Sequence, residues 1–157
     1  MESVRNPAIQ ESQNVLLIGN NPAEIGSIVD TLNDISFLKI NPEIAFDLSS
    51  ALQRLTHFQP NFILIDDNLE RDKLYQAVHR FSLSRKTKDV PIIILKNSNY
   101  KETVASTSVL DFVLKQNLSP EALYSMLKNS QKFRRTQLYL HQAYRKRKRV
   151  LLGTKRI

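Results

Sequence analysis

Short apolar runs alternate along this chain with stretches whose apolar residues recur at helical spacing, and this alternation restricts the possible folds most strongly. Strands joined by helical crossovers pair in parallel, and a parallel sheet is covered by helices on both faces. The predicted fold class is therefore α/β, with a doubly wound parallel sheet. The five runs interpreted as strands are residues 15–18, 37–40, 62–65, 91–95 and 110–114.

The stretches between these runs predict helices. Three of them have a recognisable start signal, because Pro22 and Pro120 suit the first turn of a helix and Asp47 suits an N-cap. One stretch is rich in Ser and Thr and has few apolar anchors, so it predicts only a weak helix. The predicted helices cover residues 22–35, 45–58, 72–83 and the weak stretch 100–107, with a long last helix from Ser119.

The composition indicates one globular domain. Hydrophobic residues make up 41% of the 157 residues and charged residues 24%, which is typical of folded domains. No apolar run approaches the ~20 residues of a membrane-spanning helix. We expect a loose polar leader at residues 1–13, a domain at residues 14–128, and a basic tail, helical or disordered, at residues 129–157.

The residue types exclude several kinds of chemistry. Cysteine is absent, which rules out disulfides, thiolate metal sites and cysteine nucleophiles. The first residues lack the apolar core of a secretory signal, and a cytoplasmic protein is predicted. The three histidines show no metal-ligand spacing, and no nucleophile–base pair or cofactor fingerprint is apparent. The chain is therefore not expected to be an enzyme.

The net charge of +8 is unevenly distributed. Residues 128–157 contain eleven Lys and Arg and no acid, which leaves twelve bases and fifteen acids for the remainder of the chain. Any electrostatic attraction to polyanions is therefore assigned to the tail.

Charged residues follow three of the predicted strands. Asp66 and Asp67 end the third strand, Lys96 follows the fourth, and Lys115 follows the fifth. The carboxyl ends of parallel strands share one edge, where ligands bind in open α/β sheets, so these side chains are candidates for one site. The alternative is structural, because Asp is common in turns, strand-end lysines are often solvated, and an aromatic such as Phe112 is usually buried.

Three segments resemble the receiver domain of two-component response regulators: PNFILIDDNL, VPIIIL and LDFVLKQNLSPEAL. The resemblance covers roughly residues 14–128 and implies a flavodoxin-like sheet of five parallel strands in the order 2-1-3-4-5. It implies that a histidine kinase transfers a phosphoryl group to Asp66. It also implies that Lys115 completes the site, that Asn68 offers its backbone carbonyl to a metal ion, and that Phe112 is the rotameric aromatic that reports activation.

Two elements of the receiver pattern are missing. The acidic pair after the first strand, which holds Mg²⁺ in receiver domains, falls on Gly19 and Asn20, and the Thr or Ser after the fourth strand is Lys96. Mg²⁺ binds mainly through carboxylates, phosphoryl oxygens and water. We therefore expect at most weak metal binding by Asp66 and Asn68, and no required cofactor.

These departures predict a degenerate acceptor site. A contact of Asp66 with Lys96 or Lys115 would hold the site in one state without phosphate, and Asp67 and Asn20 are expected nearby. The chain is interpreted as a receiver-like response regulator in phosphorelay signalling that acts through protein–protein interaction, with a histidine kinase among its candidate partners. The alternative is a working phosphoacceptor that uses Asp66 with an unusual metal site.

The last helix is predicted to continue far beyond the domain. No Pro or Gly interrupts residues 122–152, and apolar side chains recur near heptad spacing at Phe133, Leu140, Tyr144 and Leu151. That spacing is typical of helix pairing and suggests a homodimer. A further alternative is a nucleic-acid-binding accessory protein with salt-dependent affinity, and a solvated tail is the structural alternative. The nucleic-acid candidates are Arg145, Lys146, Arg147, Lys148 and Arg149.

Overall fold

The computed structural model describes residues 11–36, 38–97 and 109–155. Its elements follow the predicted alternation of strands and helices, and the predicted helix over residues 100–107 lies outside the described residues. In chain order the elements are β1 (Glu11–Ile18), α1 (Pro22–Asn33), β2 (Leu38–Ala45), α2 (Leu48–Arg54), β3 (Phe62–Asp66), α3 (Arg71–Leu83), β4 (Ile92–Lys96), β5 (Val109–Leu114), a 3₁₀ turn (Lys115–Asn117) and α4 (Pro120–Lys155).

The strands form one parallel sheet with the order β2-β1-β3-β4-β5. β1 pairs with β2 along its whole length, and it pairs with β3 on its other side. The strand order therefore reverses between β1 and β3, which is the position where open α/β sheets bind ligands. All strands end at the same edge of the sheet, which we call the carboxyl edge; the opposite edge is the amino edge.

Both faces of the sheet are buried, because alternate residues of each strand pack on opposite layers of helices. On one face, α2 and α3 cover the strands, and on the other face α1 and α4 cover them. The predicted α/β fold with helices on both faces is confirmed. The helix residues buried on the two faces include Ala51, Leu74, Ala77, Val78 and Phe81 on the first, and Ile25, Ile28, Leu32, Leu123, Met126 and Leu127 on the second.

The described sheet begins earlier than the predicted domain boundary at residue 14. β1 starts at Glu11, so residues 11–13 belong to the sheet and not to a loose leader. The hydrophobicity pattern does not show this start of β1, because polar side chains make its contacts with β2. The Asn41 side-chain amide of β2 donates to Ser12 Oγ at 2.9 Å and to Asn14 Oδ1 at 3.1 Å, so polar side chains join these strands at the amino edge.

α4 is one uninterrupted helix of 36 residues, which is about 54 Å at 1.5 Å per residue. Its first turns pack on the sheet, as the spacing of Leu123, Met126 and Leu127 predicts. The helix runs from the carboxyl edge to the amino edge, where Lys128 pairs with Glu11 at 2.8 Å. It continues from there without a break, so the predicted boundary between residues 128 and 129 falls within a helix. Among the described residues, no helix is long and apolar enough to cross a membrane.

Candidate functional site

Asp66 ends β3 and is completely buried. Its Oδ1 accepts a hydrogen bond from the Asn68 backbone N–H at 2.8 Å, which orders the turn after the strand. The same oxygen lies 2.6 Å from Lys115 Nζ. Its Oδ2 is also buried and has no hydrogen-bond partner among the described residues. Both oxygens of this carboxyl group are therefore shielded from solvent.

Lys115 directly follows β5 and reaches two carboxyl groups. In addition to Asp66, its ammonium donates to Glu24 Oε1 at 2.8 Å. The Asn68 side-chain amide donates to the same Glu24 oxygen at 2.7 Å. Glu24, Asp66, Asn68 and Lys115 thus form one connected group, which we call the Lys115 cluster.

Glu24 is the site residue that the sequence interpretation does not include. The Asn21 side chain caps α1 by accepting from the N–H groups of Ala23 and Glu24. α1 therefore starts four residues after Ile18 ends β1, and its first turn brings Glu24 to Lys115 at the carboxyl edge. The sequence does carry a signal, since an acid stands one helical turn beyond the missing acidic pair. Hydropathy cannot show that this acid turns toward Lys115.

The two carboxyl groups of the Lys115 cluster differ in acidity. Burial raises the pKa of Asp66, and the hydrogen bonds from Lys115 and from the Asn68 N–H only partly oppose it. The hydrogen bond from Lys115 lowers the pKa of Glu24. Burial lowers the pKa of Lys115, but its hydrogen bonds to Asp66 and Glu24 outweigh burial, and the net effect raises it. Asp66 is therefore the carboxyl group that is more easily protonated, whereas Glu24 favours the ionised form.

Asp67 is buried but belongs to a neighbouring set of contacts. Its Oδ1 accepts from the Asn97 side-chain amide at 3.0 Å and from the Asn97 backbone N–H at 3.2 Å. The Asn97 amide also donates to Asn68 Oδ1. Asp67 thus links the end of β3 to Asn97, the residue after β4. Like Glu24, Asn97 is a residue near Asp66 that the sequence interpretation does not include.

Gly19 and Asn20, the two positions of the missing acidic pair, have different surroundings. Asn20 is exposed after the end of β1. Gly19 is buried, and a Cβ added there would lie 2.9 Å from Ile25 Cδ1 and 3.1 Å from Asp66 Cβ. The side chain of Ile25 therefore fills the space that a carboxylate at position 19 would need.

Lys96 lies within β4 and not after it, and Phe112 lies in β5. Lys96 is the last residue of β4, is 8% exposed, and pairs in register with Leu114. Whether its ammonium acts on Asp66 stays a prediction; the ion pair that the structure gives Asp66 is with Lys115. Phe112 of β5 pairs in register with Ile94 of β4. The structure does not describe the Phe112 side chain, so its predicted switching role also stays a prediction.

The donor set of the Lys115 cluster does not fit Mg²⁺ well. Mg²⁺ requires nearly octahedral oxygen ligands and usually binds through carboxylates. Within the described residues, no group of three or more acidic or histidine side chains is placed to hold a metal ion. The Lys115 ammonium lies between the carboxyl groups of Glu24 and Asp66, and each facing oxygen already accepts two hydrogen bonds. A divalent cation would have to displace this ammonium.

The basic run of residues 145–149 is remote from the Lys115 cluster. It lies in α4 beyond the amino edge, and all five of its side chains are exposed. The structure therefore separates the two candidate sites of the sequence, one at each edge of the sheet.

Comparison with known proteins identifies the fold. No family model matches the chain, and no curated protein does. Solved structures match closely in shape. The receiver domain of a sensor histidine kinase from Pseudomonas aeruginosa, with a magnesium ion in its active-site cleft, has a TM-score of 0.65 at 19% identity, covering 77% of this chain and 98% of that chain.

Two further structures support the same assignment. A chemotaxis response regulator of Vibrio cholerae gives a TM-score of 0.62 at 19% identity, covering 76% of this chain and 98% of its own. A sensor protein from Polaromonas gives 0.66 at 14% identity, covering 78% and 98%. These comparisons cover each of those chains almost completely and leave part of this chain outside the match. The chain thus has the receiver, or CheY-like, fold.

Proposed function

We propose that this chain, which has the receiver fold, is a signalling module whose acceptor position is held in one state by the Lys115 cluster. It acts through contacts with other proteins of a two-component pathway, and phosphoryl transfer to Asp66 is not part of its working cycle. Histidine kinases and other signalling proteins are the class of partner that the fold suggests.

The observation that carries this proposal is the state of the Asp66 carboxyl group. A carboxylate that attacks phosphorus needs an ionised oxygen with an open line of approach, and a metal ion normally neutralises the moving phosphoryl group. Asp66 is completely buried and its Oδ1 is paired with Lys115. Burial raises its pKa, which further reduces the ionised fraction. Lys115 therefore already occupies the place of a cation beside Asp66.

A working phosphoacceptor is the second candidate, and Glu24 is the observation in its favour. Glu24 supplies a carboxyl group beside Asp66 although the usual acidic pair is missing. If Lys115 turned toward an incoming phosphoryl group, these two carboxyl groups would be released together. The two candidates therefore differ in whether the Lys115 cluster opens when phosphate and Mg²⁺ are supplied.

Beryllofluoride, which mimics an aspartyl phosphate, distinguishes them without any kinase. We expect ¹⁹F NMR of the protein with Mg²⁺ and beryllofluoride to show only free fluoride species. A receiver domain with an intact acidic pair provides the positive control under the same conditions. A Mg²⁺-dependent bound signal that Asp66→Asn abolishes would establish the second candidate instead.

A further inference from the structure

The end of α4 extends away from the domain. From Tyr139 to Val150 every residue is exposed, whereas Leu138 is still half-buried. We call residues 139–150 the projecting segment; they extend about 18 Å at 1.5 Å per residue. An isolated helix of this length is marginal in water. The segment therefore gains little stability from the domain, and its exposed side chains can contact a partner.

One side of this helix carries three exposed apolar or aromatic residues. Phe133, Leu140 and Tyr144 are 54%, 60% and 64% exposed. Their spacings of seven and four residues place them on one side of a helix, and we call these three residues the apolar seam. Tyr139 is also exposed, at 71%, but it lies about 100° around the helix from Leu140. It therefore provides a matched aromatic outside the seam.

The charges around the seam have one sign. No Asp or Glu follows Glu121 in the chain. Arg147 and Lys148 stand three and four residues after Tyr144, so they are its neighbours on the helix surface. Like charges also recur at this spacing within the basic run, as in Arg145 and Arg149, and such pairs destabilise a helix. A partner that supplies negative charge would remove this repulsion.

We propose that α4 binds an acidic amphipathic helix of a partner protein, with apolar side chains against the seam and carboxylates against Arg147 and Lys148. We infer an acidic partner because its carboxylates would complement the positive charges beside the seam. A second copy of the projecting segment would place bases against bases, and this segment has no acid for an interhelical ion pair.

Nucleic acid fits the seam less well. Five consecutive helical residues point in directions about 100° apart, so only some of the bases 145–149 can face one duplex. The phosphate backbone, which provides most of the affinity for basic segments, offers no apolar counterpart to Phe133, Leu140 and Tyr144. The proposal is independent of the chemistry at Asp66, because the projecting segment leaves the domain at the amino edge.

The test uses the full-length protein and a synthetic probe. The probe is a peptide of about four heptads with Leu at positions a and d and Glu at e and g, and its control carries Lys at e and g. We expect the acidic peptide to bind, by fluorescence anisotropy, and the basic peptide to remain unbound up to about 1 mM. Failure of the acidic peptide to bind would overturn the proposal.

Variants then test whether the apolar seam contributes to peptide binding in addition to charge attraction. Leu140→Ser with Tyr144→Ser should weaken binding of the acidic peptide at least about tenfold, whereas Tyr139→Ser should change it less than about twofold. Reversal of Arg147 and Lys148 to Glu should transfer binding from the acidic to the basic peptide. These residues are exposed, so the variants should keep the wild-type circular dichroism and melting temperature.

Two other results would assign the surface differently. Light scattering that shows a dimer lost in the Leu140→Ser, Tyr144→Ser variant, without peptide binding, would identify a second copy as the occupant. Binding of random duplex DNA that the acidic peptide does not displace, and that this double variant leaves unchanged, would identify nucleic acid. Either result contradicts an acidic helix as the occupant of the seam.

Discussion

Single residues decide the chemistry of this site, because its charges lie in different places from those of the receiver pattern. The two positions of the acidic pair hold Gly19 and Asn20, while Glu24 brings a carboxyl group to the same edge from the first turn of α1. Lys115 bridges this group and Asp66. One ammonium thus contacts two carboxyl groups, and it neutralises the site when the Asp66 carboxyl group is protonated.

Removal of the shared cation should be costly. Lys115→Met leaves Asp66 and Glu24 side by side without their counter-ion, and loss of one partner of a buried ion pair typically destabilises by about 3 kcal/mol. Lys128→Met is the matched control, because the Lys128–Glu11 pair is more exposed than the Lys115–Asp66 pair and surface pairs contribute at most about 1 kcal/mol. Urea unfolding at pH 7 measures both. Equal losses in the two variants would contradict a central role for Lys115.

Asp66→Asn should have the opposite effect. The pKa of Asp66 is raised above its ordinary value of 3.8, so the fold favours the neutral carboxyl group, and ionisation costs stability as the pH rises through the raised pKa. A neutral amide avoids this cost and leaves Lys115 paired with Glu24. We expect Asp66→Asn to be at least as stable as the wild type at pH 7, with any advantage declining as the pH falls toward 3.8.

Asp47 provides a control of opposite sign for this measurement. Its pKa is lowered by the hydrogen bond from the Ser50 N–H in the capping box of α2, so its contribution is present at neutral pH and is lost as the pH falls through the lowered pKa. Asp47→Asn should therefore not stabilise the protein at pH 7. If Asp66→Asn destabilised the protein as much as Lys115→Met does, the ionised Asp66 carboxylate would be a stabilising partner of Lys115, which contradicts this prediction.

Secondary-structure elements divide the molecule into a packed domain and a projecting helix. α4 takes part in both, since its first turns cover the sheet and Ser130, Arg134 and Leu138 lie at or near the amino edge. The projecting segment beyond Leu138 is exposed throughout. The same helix thus completes the core and presents the apolar seam.

Two truncations locate the boundary between these parts. A chain that ends after Leu138 loses only contacts beyond the domain, so its free energy of unfolding should stay within about 0.5 kcal/mol of wild type. A chain that ends after Asn129 also loses the turns around Ser130, Arg134 and Leu138, which should cost about 2 kcal/mol. Thermal and urea unfolding compare them. A large loss in the longer truncation would show that the projecting segment packs on the domain.

The sequence predicts those elements whose burial leaves an apolar pattern. The strands around Val15–Ile18, Phe62–Ile65 and Ile92–Leu95 are buried on both faces, and their apolar runs show it directly. The polar start of β1 escapes this criterion, because its contacts with β2 are hydrogen bonds between side chains. The Lys115–Glu24 contact joins residues 91 positions apart in the sequence. Such a contact depends on how α1 and β5 are placed in the fold, so no local sequence pattern predicts it.

The whole molecule carries its two candidate sites at opposite edges of one sheet. The Lys115 cluster lies at the carboxyl edge, at the switch point beside β1 and β3, and the apolar seam leaves from the amino edge on α4. A partner on the seam would not cover Asp66. The proposed binding by α4 therefore does not require the proposed site at the carboxyl edge to accept a phosphoryl group.

Covalent acceptance at Asp66 tests this account most directly. The protein is incubated with acetyl phosphate and Mg²⁺ and analysed by intact-mass spectrometry, beside Asp66→Ala and a receiver domain with an intact acidic pair as the positive control. We predict that the positive control gains the mass of one phosphoryl group while the wild-type chain does not. A phosphoryl adduct on the wild type that is absent from Asp66→Ala would contradict a site closed by the Lys115 cluster.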